Sequence, residues 1–210
     1  MAATVVLVRD APAGVEVFMV QRPGGVDFPN LHVFPGGKVD ENDFLPEFCS
    51  GMDDALANDM LGVAAGGLRY WVAVIRECFE ECGVLLATSN DKMLAIEDAH
   101  AEQRFTRYRG ELLDGRVNLA EVCEREQLRL ACKSVRYFSH WLTPESAPRR
   151  FDTRFFVATM PPEQTALAHE WETQDSSWTT PQSALEFFEK GAWQMISPTL
   201  MTLEMISPYA

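Results

Sequence analysis

The chain has 210 residues, 47% of them hydrophobic, and carries a formal charge of −13 at pH 7. A chain of this length with apolar residues throughout can bury a sizeable core, read here as one compact domain, residues 1–210, with insertions. The charge excludes a protein that grips long nucleic acid through a broad basic face. An anionic substrate would need a local attractor, such as carboxylate-held metal ions with a few arginines around them. The five cysteines, Cys49, Cys78, Cys82, Cys123 and Cys132, lack the paired spacing of a zinc site. They read as reduced, mostly buried thiols, which fits a cytoplasmic location. Residues 2–8 form neither a charged leader nor a long apolar run, so no signal peptide or membrane span is expected. Ser207-Pro208-Tyr209-Ala210 carries no peroxisomal address.

In chain order, residues 3–8 and 15–21 are β-branched apolar runs separated by a turn-rich segment, which predicts a hairpin. A polar stretch, 22–30, leads to a short strand around His32-Val33-Phe34. That strand stops at Pro35-Gly36-Gly37, expected to be a tight loop with exposed backbone. Residues 40–67 look irregular apart from a short helix at about 53–61, and 68–82 are strongly helical with Gly83 as the stop. Residues 92–131, including Met93-Leu94-Ala95-Ile96 and 119–130, read as more helix with charge on its outer face. Strands return at 134–142 and 154–160, and helices at 181–190 and 198–206 close the chain. This order suggests an α/β layered fold with a mixed sheet.

In Arg76-Glu77-Cys78-Phe79-Glu80-Glu81-Cys82-Gly83-Val84, helical spacing puts Glu77, Glu80 and Glu81 on one face, at i, i+3 and i+4. Like charges so spaced cost about 0.2–0.5 kcal/mol per pair. Glu80 and Glu81 also fall in the last turn, where the helix dipole disfavours an anion by roughly 0.3–1 kcal/mol. Two local rules broken together point to a bound cation that turns repulsion into coordination. Hard carboxylate oxygens suit Mg2+ or Mn2+. The alternative is a solvated acidic face with Arg76 as an incidental partner.

Gly37 and the Arg76–Val84 run resemble the two halves of a Nudix box: Gly, five residues, Glu, seven residues, then Arg-Glu-apolar-x-Glu-Glu-x-Gly-apolar. Every fixed position of the second half matches. The chain departs from the pattern with Asp43 in place of Glu and with 32 residues instead of seven before Arg76. With Gln21-Arg22, the His32–Gly37 run, Trp141-Leu142-Thr143-Pro144 and Arg149-Arg150-Phe151-Asp152-Thr153-Arg154-Phe155-Phe156, the split box is similar to the Nudix 19 subgroup.

The resemblance implies a Nudix α/β/α sandwich with insertions at about 44–67 and 92–131. It further implies a metal-dependent diphosphatase acting on coenzyme A or its acyl esters, to give 3′,5′-ADP and an (acyl-)4′-phosphopantetheine. Glu80 and Glu81 would bind metal, Glu77 would bind metal or act as base, Arg76 would orient a glutamate, and a carbonyl of Gly36 or Gly37 would complete the shell. Trp178-Thr179-Thr180-Pro181 marks Glu172 as a further loop ligand, with Glu170 and Asp175 as competitors.

Arg22, Arg149, Arg150 and Arg154 are candidates for phosphate recognition, because guanidinium groups suit bidentate contacts. Asp152 is read as a residue that orders their loop. The apolar residues of 44–67 (Phe44, Leu45, Phe48, Met52, Leu56, Met60 and Leu61) are read first as core, otherwise as cover for an acyl chain or a dimer partner. The four histidines show no metal spacing. Two other readings stay open: a Nudix diphosphatase on another nucleoside diphosphate derivative (NADH, ADP-ribose or a capped RNA end), and a non-catalytic Nudix module. A homodimer is an analogy with relatives.

Overall fold

A computed structural model describes residues 1–22, 30–146, 150–167 and 175–209. The expected hairpin is present as β1 (Ala2–Ala11) and β2 (Gly14–Gln21). Their antiparallel ladder runs from Ala11↔Gly14 to Val8↔Val17. Beyond it, β3 (His32–Val33) pairs with the end of β2, and β4 (Gly36–Lys38) pairs with the start of β1. The chain between them adds a bond from the Val5 amide to the Pro35 carbonyl, 2.8 Å. Backbone groups of β1 beyond its ladder with β2 thus find partners on the 35–38 segment.

This corrects the reading of Pro35-Gly36-Gly37 as an exposed loop. The glycines offer no side-chain alternation to announce a strand, but at Gly36 and Gly37 the backbone is β4. A side chain on Gly36 would collide with the Ala3 carbonyl and come within 2.6 Å of the Thr4 Cα, so the close approach requires glycine.

β8 (Val135–Leu142), β9 (Asp152–Thr159) and β10 (Asp175–Thr179) complete the main sheet, in the order β10-β2-β1-β9-β8 with β3 and β4 attached. The β1–β9 pair is parallel and the others are antiparallel, so the sheet is mixed. Strand β10 was not expected, since its Ser and Thr residues resemble a loop.

Side chains alternate across the sheet with period two. Ala3, Val5, Leu7, Phe18, Val20 and Phe156 face one core, and Val6, Val17, Met19 and Phe155 face the other. The first core lies under α2 (Leu68–Cys82); the second includes Ala184 from α5 (Pro181–Glu189) and Leu203 and Ile206 from α6 (Ser197–Ile206). The architecture is an α/β/α sandwich.

Helix α1 (Asp54–Leu61) lies within the 44–67 insertion and caps α2. Gly67, the N-cap of α2, has no side chain to offer. Instead the Asp54 carboxylate accepts from the Gly66 and Leu68 amides at 3.2 and 3.0 Å, and Asn58 Oδ1 accepts from Gly67 at 2.6 Å. Of the insertion's apolar residues, Leu61 is buried, Leu45, Phe48 and Met52 pack against the core, and Phe44, Leu56 and Met60 are exposed.

The 92–131 segment is less helical than expected. Met93 belongs to β6 (Lys92–Met93), paired with β5 (Ala87–Ser89), and residues 94–97 are irregular. Helices α3 (Ala99–Leu113) and α4 (Leu119–Glu126) follow. The latter stops at Gln127, which is left-handed, so that β7 (Arg129–Leu130) can pair with β5. Among the described residues no helix is long and apolar enough to cross a membrane.

Gly36→Ala is expected to lower stability by about 1–3 kcal/mol, the usual range for overpacking. A fall in the urea midpoint at unchanged slope would show it; an unchanged midpoint would contradict the close β1–β4 packing.

Candidate active site

Helix α2 packs against β1 and β4. Its last turn carries Glu80 and Glu81, with Glu77 one turn earlier, and Glu81 and Glu77 meet Gly36 and Gly37 of β4. Arg76 organises them. Its Nε and Nη2 donate to the two carboxylate oxygens of Asp43 at 2.8 and 3.1 Å. Nη1 donates to Glu77 at 2.8 Å and to Glu80 at 2.7 Å, and Nη2 also donates to the Lys38 carbonyl at 2.8 Å. All five N–H donors of the guanidinium are engaged, which a lysine could not reproduce.

Asp43, buried, also accepts from the Asp40 amide at 2.7 Å, closing a capping box around the 3-10 turn Glu41–Asp43. The insertion between Asp43 and Arg76 therefore loops out without separating the two halves of the box. Glu81 is held differently: its Oε2 accepts from the Gly36 amide at 2.9 Å. Gly37 lies against Glu77, where an added Cβ would come within 2.5 Å of the carboxylate.

Burial works against the charged Arg76 guanidinium, but Asp43, Glu77 and Glu80 outweigh it and raise its pKa. Burial pushes the Glu77 carboxyl up to about 7; Arg76 opposes the rise and Glu80 adds to it. Three carboxylates on Arg76, with Glu81 beside them on the same helix turn, leave an excess of negative charge that invites a cation. The donors are hard oxygens, and the cradle at Gly37 is free of side chain, so these residues fit a divalent ion of the Mg2+ or Mn2+ type. As they stand, no three His, Cys, Asp or Glu side chains among the described residues are arranged to hold a metal. Arg76 draws Glu77 and Glu80 to itself while the Gly36 amide holds Glu81.

The remaining candidates are dispersed. Glu170, Glu172 and Arg149 lie outside the described residues. The Leu167 amide donates to the Cys82 carbonyl at 2.8 Å, at the end of the glutamate helix. Asp175 is exposed at the start of β10, opposite Gln21. Arg22 is half-buried just after β2, with its backbone bonded to Asn30 and Leu31. Arg150 is exposed, 3.7 Å from Glu145.

Arg154 is buried. Its Nη1 donates to the Tyr70 hydroxyl at 2.9 Å and to Asp152 at 3.2 Å, and its guanidinium lies 4.5 Å from the Tyr70 ring centre. It ties β9 to α2, and Asp152 in turn sits 2.7 Å from His140 Nε2. Sequence reasoning missed Arg109, whose Nε donates to the Glu80 carbonyl at 2.8 Å. Its only signal was a place four residues after Phe105 on the buried face of a predicted helix.

The raised Glu77 pKa sets a sign for stability. In metal-free protein the ionised carboxyl is disfavoured by folding, so the cost is nearly absent below about 4.5 and complete above about 7. Stability relative to Glu77→Gln should therefore fall by about 2–3 kcal/mol between pH 5 and pH 8, at about 1.4 kcal/mol per pKa unit. Denaturant titrations in EDTA at both pH values would show it, and parallel pH profiles would refute it.

Residues 63–206 match the family described as the NUDT19 Nudix domain. The acyl-coenzyme A diphosphatase NUDT19 of Xenopus laevis is 24% identical over 230 residues, covering 93% of this chain and 60% of that protein. The human protein of the same name is 27% identical over 227 residues, covering 88% and 59%. The chain thus spans about 60% of the length of these curated relatives. Among solved structures, a NUDIX hydrolase from Alicyclobacillus acidocaldarius superposes with a TM-score of 0.74 at 26% identity, covering 99% of this chain and 90% of that one. With the family match spanning more than half of the sequence, the chain belongs to the Nudix hydrolases, in the NUDT19 Nudix domain family.

Proposed function

We propose that this protein hydrolyses the diphosphate linkage of coenzyme A or an acyl-coenzyme A, with a divalent metal ion, releasing 3′,5′-ADP and the (acyl-)4′-phosphopantetheine. The observation that carries the chemistry is the glutamate cluster at the end of α2: Glu77 and Glu80 on the Arg76–Asp43 pair, and Glu81 on the Gly36 amide, beside Gly37. The choice of substrate draws on the names of the NUDT19 relatives.

Glu80 and Glu81 would hold the metal, with Glu77 and a carbonyl of Gly36 or Gly37 beside them and Glu172 as the further loop carboxylate. A bound Mg2+ or Mn2+ supplies charge neutralisation for the diphosphate and a water of lowered pKa. Arg76, itself held by Asp43, would keep Glu77 and Glu80 within reach of the metal. Asp43 performs this through two oxygens, so the aspartate in place of the usual glutamate preserves the contact. Glu77, at the edge of this cluster, would bind the metal or accept a proton from the attacking water. Arg22, Arg149 and Arg150 are the proposed contacts for the nucleotide phosphates; buried Arg154 ties β9 to α2 through Tyr70. The substrate is a small molecule, consistent with the −13 charge.

Purified protein incubated with coenzyme A, an acyl-coenzyme A, NADH and ADP-ribose, each with Mg2+, Mn2+ or EDTA, is expected to release 3′,5′-ADP from the coenzyme A substrates only with metal. Mass spectrometry identifies the products. Glu80→Gln should reduce the rate by about 10²–10³-fold, the scale of losing one electrostatic stabiliser. Preferential cleavage of NADH or ADP-ribose would overturn the substrate, and no turnover would overturn the enzymatic reading in favour of a binding module.

A further inference from the structure

Helix α2 ends under an electrostatic burden, with two glutamates in the turn where the helix dipole is already negative. Its terminal carbonyls are taken up from three directions. The Gly83 amide, left-handed, donates to Phe79 at 2.9 Å, and the Leu167 amide donates to Cys82 at 2.8 Å. Arg109 Nε donates to the Glu80 carbonyl at 2.8 Å, from α3 in the 92–131 segment. These bonds satisfy acceptors that a helix end would otherwise leave open. The Arg109 bond also sets a full positive charge on the turn that bears Glu80 and Glu81.

Helix α3 is held so that this contact is made. Phe105 meets Phe79 edge to face, with ring centres 6.4 Å apart. Arg109 stands one turn further along the same face, next to the buried Tyr108. On the other side, the Tyr108 hydroxyl donates to Glu126 at 3.0 Å and Arg104 pairs with Glu126 at 2.9 Å, fastening α3 to α4. At Gly83 an added Cβ would lie 3.1 Å from Arg109 Nη1 and 3.9 Å from the Leu167 carbonyl. The guanidinium therefore sits where the glutamate helix ends and the chain toward 168–174 begins.

We propose that Arg109 is a positioning residue for the cation site: it fixes the last turn of α2 in the geometry from which Glu80 and Glu81 bind metal. The 92–131 segment is then a support for the site. This inference rests on the metal-site reading above. Arg109 acts through the Glu80 backbone and touches neither cation nor reacting atoms.

The test measures Mn2+ binding by isothermal titration calorimetry and electron paramagnetic resonance, with amide hydrogen exchange at Gly83 in the metal-free protein. Arg109→Met keeps the apolar stem and removes the donor and charge; Arg109→Lys restores the charge; Arg107→Ala alters a solvent-facing neighbour, 63% exposed, on the same helix. Arg109→Met is expected to weaken Mn2+ binding by about tenfold, within the 10–100-fold typical of groups that support metal ligands, and to speed exchange at Gly83. Arg109→Lys should recover most of the affinity and Arg107→Ala should bind as wild type.

If Arg109→Met does not fold, Arg109→Gln is read in its place with the same expectation. Unchanged Mn2+ affinity in the Arg109 variants, or an equal loss in Arg107→Ala, would overturn the proposal while leaving the metal site standing. Wild-type protein that binds no Mn2+ would overturn the metal-site reading itself and this inference with it.

Discussion

The structure of the site depends on one guanidinium. Arg76 uses all its donors to join Asp43, the Lys38 carbonyl, Glu77 and Glu80, so that two stretches of chain separated by an insertion meet as one unit. A buried ion pair of this kind is a poor source of net stability, because desolvation offsets much of the attraction. Its value is geometric. It collects carboxylates that repel one another and keeps them at the end of α2, beside the two residues of β4 that carry no side chain, Gly36 and Gly37.

That strand exists because β1 and β2 do not stay paired along their whole length. Their ladder ends at Val8 and Val17, and the Gly36–Lys38 segment pairs with the start of β1. Gly36 is then close enough to give its amide to Glu81, and Gly37 close enough to lie against Glu77. The apolar alternation that builds the two cores fixes the position of α2 over this seam. Packing thus brings the glycines and glutamates together, and electrostatics decides what such a place is suited to hold.

Much of this was legible in the sequence where composition and punctuation carried it. The opening hairpin is two β-branched apolar runs around a turn-rich segment, α2 has apolar residues on nearly every side until its glutamates, and Gly83 marks its end. The glutamate cluster was legible because it breaks local rules. Strands lacking a pattern were not: β4 is built of glycines and one lysine, β10 of Ser, Thr and a tryptophan, and β5 to β7 are too short for alternation to show. The Asp43–Arg76 contact was hidden by the intervening residues; the motif marked Asp43 only as a departure from the usual Glu. Arg154 illustrates the reverse: a guanidinium between strand residues looked suited to a phosphate, yet its partners are Tyr70 and Asp152. Side-chain type indicates chemistry, whereas burial is set by the fold.

Uptake of a metal ion by the glutamate cluster is the property on which the chemistry of the site depends. A crystal soaked in Mn2+, with anomalous data collected above the manganese absorption edge, tests this directly. The expected result is a peak bound by Glu80 and Glu81, with Glu77 and the Gly36-Gly37 backbone at its side and Arg76 still on Asp43. A peak at another site, or none at saturating Mn2+, would contradict it.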